Sequence, residues 1–199
     1  MIALDVEQNS PEWYAARVGI PTASCFDKLI TNKGEPSKQR VKYIRQLAAE
    51  RITGKHENGF ESKSMMRGKE FEEEARNLYA LTTSQKIVPV GVCYPNKNKE
   101  YAASPDALVG KNGLLEIKCP LSWTHVGYLL NGKLPEEYFQ QCQGQLFVTG
   151  RSWVDFESYY PGLKPLIVRV RRDEKFIAAL SAELKKAVRE ITTISNKIK

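Results

Sequence analysis

The stretch from Tyr101 to Pro120, YAASPDALVGKNGLLEIKCP, constrains this chain more than any other. Ala107-Leu108-Val109 runs into Gly110-Lys111-Asn112-Gly113, a turn rich in Gly and Asn. Leu114-Leu115-Glu116-Ile117-Lys118 then reads as a second short strand, ended by Pro120. The pattern predicts a β-hairpin. Residues two apart on a strand share a face. Glu116 and Lys118 therefore point one way, and Leu115 and Ile117 the other. Asp106, at the start of the first arm, comes back alongside them. Two carboxylates and an amine converging at a sheet edge suit a divalent metal and a water nucleophile. Taken singly, an Asp after Pro is a common turn residue, and Glu and Lys two apart are a common solvated face. The two halves at hairpin spacing carry the argument.

The remaining bounds are ordinary. At 199 residues one domain spanning 1–199 is expected, with enough chain for a sizeable core. The net charge of +7, from 30 basic and 23 acidic residues, points toward a polyanionic partner. A basic solvated surface would give the same figure. Cys25, Cys93, Cys119 and Cys142 are scattered without a C-x-x-C pair, so an iron–sulfur site lacks its spacing. Only His56 and His125 occur, which argues against zinc. The first residues carry no apolar h-region and no run approaches a membrane span, so a cytosolic setting with reduced thiols is the expectation. No G-x-x-x-x-G-K-[ST] loop occurs, and nothing points to ATP.

Ser10-Pro11-Glu12 predicts a helix start, with a cap, a Pro at the first position and an acid in the first turn. That helix is expected to end near Gly19, and Thr22-Ala23-Ser24 to cap a second. A helix over Lys38–Thr53 should bury Val41, Ile44, Leu47 and Ala48. A loop over Gly54–Gly59 precedes a long helix over Ser62–Leu81, with Met66, Phe71, Ala75, Leu78 and Tyr79 inward. Glu70, Glu72, Glu73 and Glu74 form an acidic cluster on it. The run Ile87–Tyr94 reads as a strand, and Pro89 argues for an edge position. After Pro120, Trp123–Leu130 predicts a short helix and Pro135–Phe147 another, on which Tyr138, Gln141 and Gln145 form one polar stripe. Trp153–Tyr159 and Leu166–Arg171 are strands. Asp173-Glu174 caps a final helix whose stripe, Ile177 to Ile198, serves the core or a subunit contact. From Lys164 onward ten Lys and Arg face four Asp and Glu, so most of the net charge lies there. The element order fits an α/β fold, a mixed β-sheet flanked by helices.

Asp106, nine residues, then Glu116-Ile117-Lys118 resembles the signature of the PD-(D/E)xK nuclease superfamily. The run Trp13 to Ser24, WYAARVGIPTAS, resembles the N-terminal motif of its phage lambda exonuclease-type members. The resemblance implies a Mg2+-dependent, processive 5′→3′ exonuclease on linear double-stranded DNA with 5′-phosphate ends. It implies a single-strand annealing protein as partner in recombination, a ring-shaped homotrimer, and a phage or prophage origin with action in the bacterial host cytoplasm. Asp106, Glu116 and the Ile117 carbonyl would ligate Mg2+, two ions per site, with Mn2+ an alternative. The segment Arg67-Gly68-Lys69-Glu70-Phe71-Glu72 resembles a family segment whose Glu after the aromatic reaches the metal, here Glu72. Glu70, Glu73 and Glu74 are then solvent residues. Arg17 and Ser24 would bind the 5′-phosphate, and Ser104 would contact phosphate beside the metals. Tyr138 and Gln141 would line the site. The residues themselves leave Arg17 open as a surface Arg, and the Gln as orienting water or phosphate. Lys118 could position the water, deprotonate it, or offset phosphate charge. A sequence- or structure-specific endonuclease and a DNA-binding module on an inactive nuclease fold are the competing readings.

Overall fold

The computed structural model describes residues 1–56 and 63–199; the side chains of residues 63–67 and 69 lie outside that description. The chain begins with β1 (Ile2–Leu4), α1 (Pro11–Ala15), a 3₁₀ segment (Ala23–Lys28), α2 (Arg40–Thr53) and α3 (Lys63–Thr83). The strands β2 (Ile87–Val88), β3 (Val92–Tyr94), β4 (Ala107–Val109) and β5 (Gly113–Lys118) follow. Then come α4 (Ser122–Asn131), a 3₁₀ turn (Glu136–Tyr138), α5 (Phe139–Thr149), β6 (Trp153–Ser158), β7 (Leu166–Arg171) and α6 (Glu174–Ile198).

The hairpin forms as expected. β4 and β5 pair antiparallel, with Ala107 opposite Leu115 and Val109 opposite Gly113. They sit within a five-stranded sheet of order β2-β4-β5-β6-β7. β5 and β6 pair parallel, which requires a crossover, and α4 and α5 supply it. The other pairs are antiparallel. This mixed sheet flanked by helices is the fold class that the element order implied.

β5 is covered on both faces, so its alternation sorts its side chains. Leu114 packs with Cys142, Leu146 and Phe156 on the α5 side. Leu115 and Ile117 pack with Ala75 and Tyr79 of α3 on the other. A third cluster joins Phe26 to Leu47 of α2 and to Leu184 and Ile191 of α6. Each such side chain, fully withdrawn from water, contributes about 1.5–3 kcal/mol. The stripe of α6 is therefore core. Asp173 caps that helix by accepting from the Phe176 N–H. Arg40 ties α2 to α6 through Glu183 and Glu190.

Several expectations need correction. Ile87–Tyr94 is two strands. Pro89 has no N–H to continue the ladder, so β2 ends there and takes the sheet edge, while β3 turns away to pair with β1. α1 stops at Ala15 and gives way to short turns before Gly19. Thr22 stands at the start of the next segment, a 3₁₀ helix, without capping it. Val41 is 56% exposed and Ile198 66% exposed, so neither joins its helix's buried stripe. The expected start at Ser62, Met66 as a core residue, and the loop beyond residue 56 lie outside the described residues. Among the described residues no helix is long and apolar enough to cross a membrane.

Candidate active site

β5 presents Glu116 and Lys118 toward α5. Glu116 is 1% exposed, and a carboxylate so far from water needs donors. Gln141 Nε2 and Lys118 Nζ donate to its Oε1, and Gln145 Nε2 donates to Oε2. Gln141 and Gln145 lie one turn apart on α5, which is why both reach the same carboxylate. Tyr138 belongs to the preceding 3₁₀ turn and not to the helix itself. It still faces the site: its ring lies 5.0 Å from Phe156 and 5.4 Å from Lys118 Nζ.

Asp106 extends the hairpin through its own N–H, which donates to Leu115 O at 3.0 Å. Its Oδ2 accepts the Ile117 N–H. Burial raises the Asp106 pKa well above the carboxylate range, and the negative charges of Glu116 and Glu72 add to the rise. Lys118 and the Ile117 N–H pull the other way. At Lys118 burial works against the charge, but Glu116 and Asp106 outweigh it, so its pKa is raised. The Lys118 side chain is 29% exposed, which screens part of that attraction. Glu72 enters from α3 paired with Arg76 one turn on. Glu70 and Glu73 face solvent as expected, whereas Glu74 accepts from the Tyr159 hydroxyl and helps seat α3 on the sheet.

Arg17 lies at the other end of the site. Its guanidinium carbon stacks 3.6 Å from the centroid of the Trp13 ring. Nη2 donates to Thr22 Oγ1 and Ser24 Oγ, each at 3.3 Å. Burial lowers the Arg17 pKa, offset in part by Cys25, Tyr43, Tyr14 and Glu50. Trp13 Nε1 in turn donates to Ser104 Oγ at 3.1 Å and to Gly91 O at 3.2 Å. Ser104 stands two residues before Asp106, so this chain of contacts runs from Arg17 to the hairpin. Trp13, Thr22 and Gln145 join the site beyond the residues assigned to it from the sequence, where Thr22 was expected only as a helix cap and Gln145 only as part of a polar stripe. The four-residue spacings Trp13–Arg17 and Gln141–Gln145 were the available signal.

Every residue named for the site from the sequence lines one cavity of about 500 Å3. Arg17, Ser24 and Ser104 share it with Asp106, Glu116, Ile117, Lys118, Glu72, Tyr138 and Gln141. The donors near Asp106 and Glu116 are oxygens, which suits a hard cation such as Mg2+. Among the described residues no three His, Cys, Asp or Glu side chains form a complete metal cluster.

Residues 12–152 match the model of the YqaJ-like viral recombinase domain. The fold is similar to an alkaline exonuclease (LHK-Exo) from Laribacter hongkongensis, with a TM-score of 0.86 and 35% identity over 95% of this chain and 96% of that one. That protein is also known in complex with dAMP. A phage related exonuclease from Haemophilus somnus 129PT, 16% identical, shares the fold with a TM-score of 0.69 over 90% of this chain and 96% of that one. An uncharacterized protein, R354, of Acanthamoeba polyphaga mimivirus is 27% identical over an alignment of 163 residues that covers 75% of this chain. The chain spans only 28% of that protein's length. By the match over residues 12–152 and the likeness to LHK-Exo along nearly the whole of both chains, the chain belongs to the YqaJ-like viral recombinase family.

Proposed function

We propose that the protein is a Mg2+-dependent exonuclease that degrades one strand of linear double-stranded DNA processively, 5′ to 3′. It would act in phage-type homologous recombination with a single-strand annealing protein. Family membership and the 35% identity to an alkaline exonuclease support a nuclease acting on DNA in recombination. The observation that carries the finer reading is one cavity lined by both an Arg–Ser cluster and an Asp–Glu–Lys set. The dAMP complex of the Laribacter protein supports a nucleoside monophosphate as the product.

In this reading Arg17 takes the terminal 5′-phosphate, for which a planar guanidinium is suited. The Ser24 hydroxyl orients the Arg17 guanidinium, and the Ser104 hydroxyl faces phosphate beside the hairpin. Asp106, Glu116, the Ile117 carbonyl and Glu72 would hold Mg2+, two ions per site, with Mn2+ able to substitute. Bound Mg2+ supplies charge that stabilises the attacking and leaving oxygens of phosphodiester hydrolysis. Gln141 and Gln145 hold Glu116 in one orientation. Lys118 positions the attacking water and offsets phosphate charge, and Tyr138 walls the site behind it. The working unit is one nuclease domain over residues 1–199, assembled as a ring-shaped homotrimer in the cytoplasm of a bacterial host.

The test is digestion of matched linear duplexes carrying 5′-phosphate or 5′-hydroxyl ends, beside a closed circle, in Mg2+, with the surviving strand mapped. Mononucleotide release from 5′-phosphate ends and an intact opposite strand are expected. Cutting of the closed circle, or loss of the strand from its 3′ end, would overturn the reading.

A further inference from the structure

Glu50 lies on the inner face of α2, is 1% exposed, and is not among the residues lining the catalytic cavity. A carboxylate at that depth persists only with hydrogen-bond partners. One partner is Gln46, whose Nε2 donates to Oε1 at 3.2 Å. A second is the backbone of Gly19, whose N–H donates to Oε2 at 3.0 Å, and the His56 Nδ1 lies 3.1 Å from Oε1. The next residue, Arg51, holds the opposite side of the same peptide group pair. Its Nε and Nη2 donate to Gly19 O at 3.3 and 3.0 Å. Gly19 has φ +67, and a Cβ there would stand 2.8 Å from Arg51 Cβ. The turn is thus laid directly on α2, and only glycine allows it.

Gly19 is two residues from Arg17. The turn between them is weakly self-supporting: Val18 N to Ala15 O and Ile20 N to Arg17 O are both 3.4 Å. Among the described residues the Arg17 guanidinium makes 3.3 Å contacts to Thr22 and Ser24 besides its stack on Trp13. Its position is therefore decided from outside the turn. Tyr94, whose hydroxyl donates to Ala16 O, fixes the turn's first half, and Glu50 with Arg51 fixes the second.

We infer that Glu50 is a positioning residue for recognition of the 5′ end, acting on Arg17 through the Gly19 peptide. The inference rests on Arg17 binding the terminal phosphate.

The experiment compares wild type, Arg17→Ala, Glu50→Ala and Glu50→Gln on matched linear duplexes with 5′-phosphate and 5′-hydroxyl ends. KM, kcat and melting temperature are measured for each. Glu50→Ala should lose about tenfold of the 5′-phosphate preference, the effect of one hydrogen bond that holds a charged group in place. The loss should appear as a raised KM on 5′-phosphate ends, with a smaller change on 5′-hydroxyl ends. Glu50→Gln should keep most of the preference, because its amide oxygen still accepts from Gly19. Full preference in Glu50→Ala, beside a loss in Arg17→Ala, overturns the inference and leaves the end pocket standing. Equal losses on both kinds of end, in step with a fall in melting temperature, overturn it in favour of a general structural role. No preference in the wild type, or full preference in Arg17→Ala, removes the pocket and the inference together. Should Glu50→Ala fail to fold, Arg51→Met removes the other half of the clamp, and undiminished preference in that variant overturns the inference.

Discussion

The Arg17 guanidinium carbon lies 3.6 Å from the centroid of the Trp13 indole, and the same indole donates its N–H to Ser104. One ring thus sets two of the polar groups proposed to hold phosphate. A cation–π contact contributes about 0.5–2 kcal/mol. Trp13→Leu should therefore lower the preference for 5′-phosphate over 5′-hydroxyl ends by about twofold to thirtyfold. Trp13→Phe, which keeps a ring and loses the N–H, should fall between. Competition digestion of the two duplexes reads the ratio directly.

Arg17→Ala should impair digestion of 5′-phosphorylated ends far more than it alters Mg2+ dependence. A charge-assisted contact to a terminal phosphate contributes roughly 1.5–3 kcal/mol, or about tenfold to a hundredfold in rate. Arg17→Lys should rescue only in part, since an ammonium lacks the planar fork. A variant with undiminished end preference would make Arg17 a plain surface residue.

Asp106 and Glu116 should separate in stability although both are proposed to hold Mg2+ for cleavage. Asp106→Asn removes a buried charge that Glu116 and Glu72 repel, while still offering an acceptor to the Ile117 N–H. Its melting temperature should hold or rise. Glu116→Ala strands the donors of Gln141, Gln145 and Lys118. That should cost about 1–3 kcal/mol. Calorimetry in metal-free buffer distinguishes the two, and Mg2+-dependent cleavage should be absent in both.

The hairpin and the direction of its side chains were legible because period-two alternation and a Gly-rich turn are local signals. Glu116 and Lys118 do share a face, and Leu115 and Ile117 take the other. What was not legible depends on partners distant in sequence. β1 is three residues long and pairs with β3 about ninety residues away, so its own sequence carries little pattern. The glutamines of α5 were visible as a polar stripe, but their acceptor, Glu116, is 25 and 29 residues earlier. Glu50 carries no local pattern of its own, and only the folded chain brings Gly19 to it.

Glu157 carries a pH prediction. It is fully buried on β6 between Ile117 and Ile167 of the neighbouring strands. Neither of its oxygens has a hydrogen-bond partner among the described residues. Burial pushes its pKa up to about 8. Between the ordinary value and about 8 the unfolded chain gives up a proton that the folded chain retains. Folding stability therefore falls as pH rises through that window, by up to about 1.4 kcal/mol per unit, and then levels off. Glu157→Gln does not titrate, so its advantage in melting temperature over wild type should grow from pH 5 to 8 and stay constant above. Melts at pH 5, 7 and 9 in metal-free buffer check this; a constant difference would place the carboxylate in contact with water.

Gly144 should not tolerate a side chain. A Cβ there would stand 2.5 Å from Phe26 Cδ2, and Phe26 is wholly buried. Gly144→Ala should destabilise the fold by about 1–3 kcal/mol, read from denaturant midpoints. It should also weaken 5′-phosphate preference, because it pushes the Ala23–Lys28 segment that carries Ser24.

That close approach has a consequence for what the molecule could release. Gly144 lies between Gln141 and Gln145 on α5, and it seats the helix against the segment bearing Ser24. Ser24, which accepts from Arg17, and the glutamines that hold Glu116 are thus seated on one floor across this close contact. On the proposed function such a floor is a ruler. Its length fixes how far from the held end a bond is broken, so each cut would yield a fragment of one size.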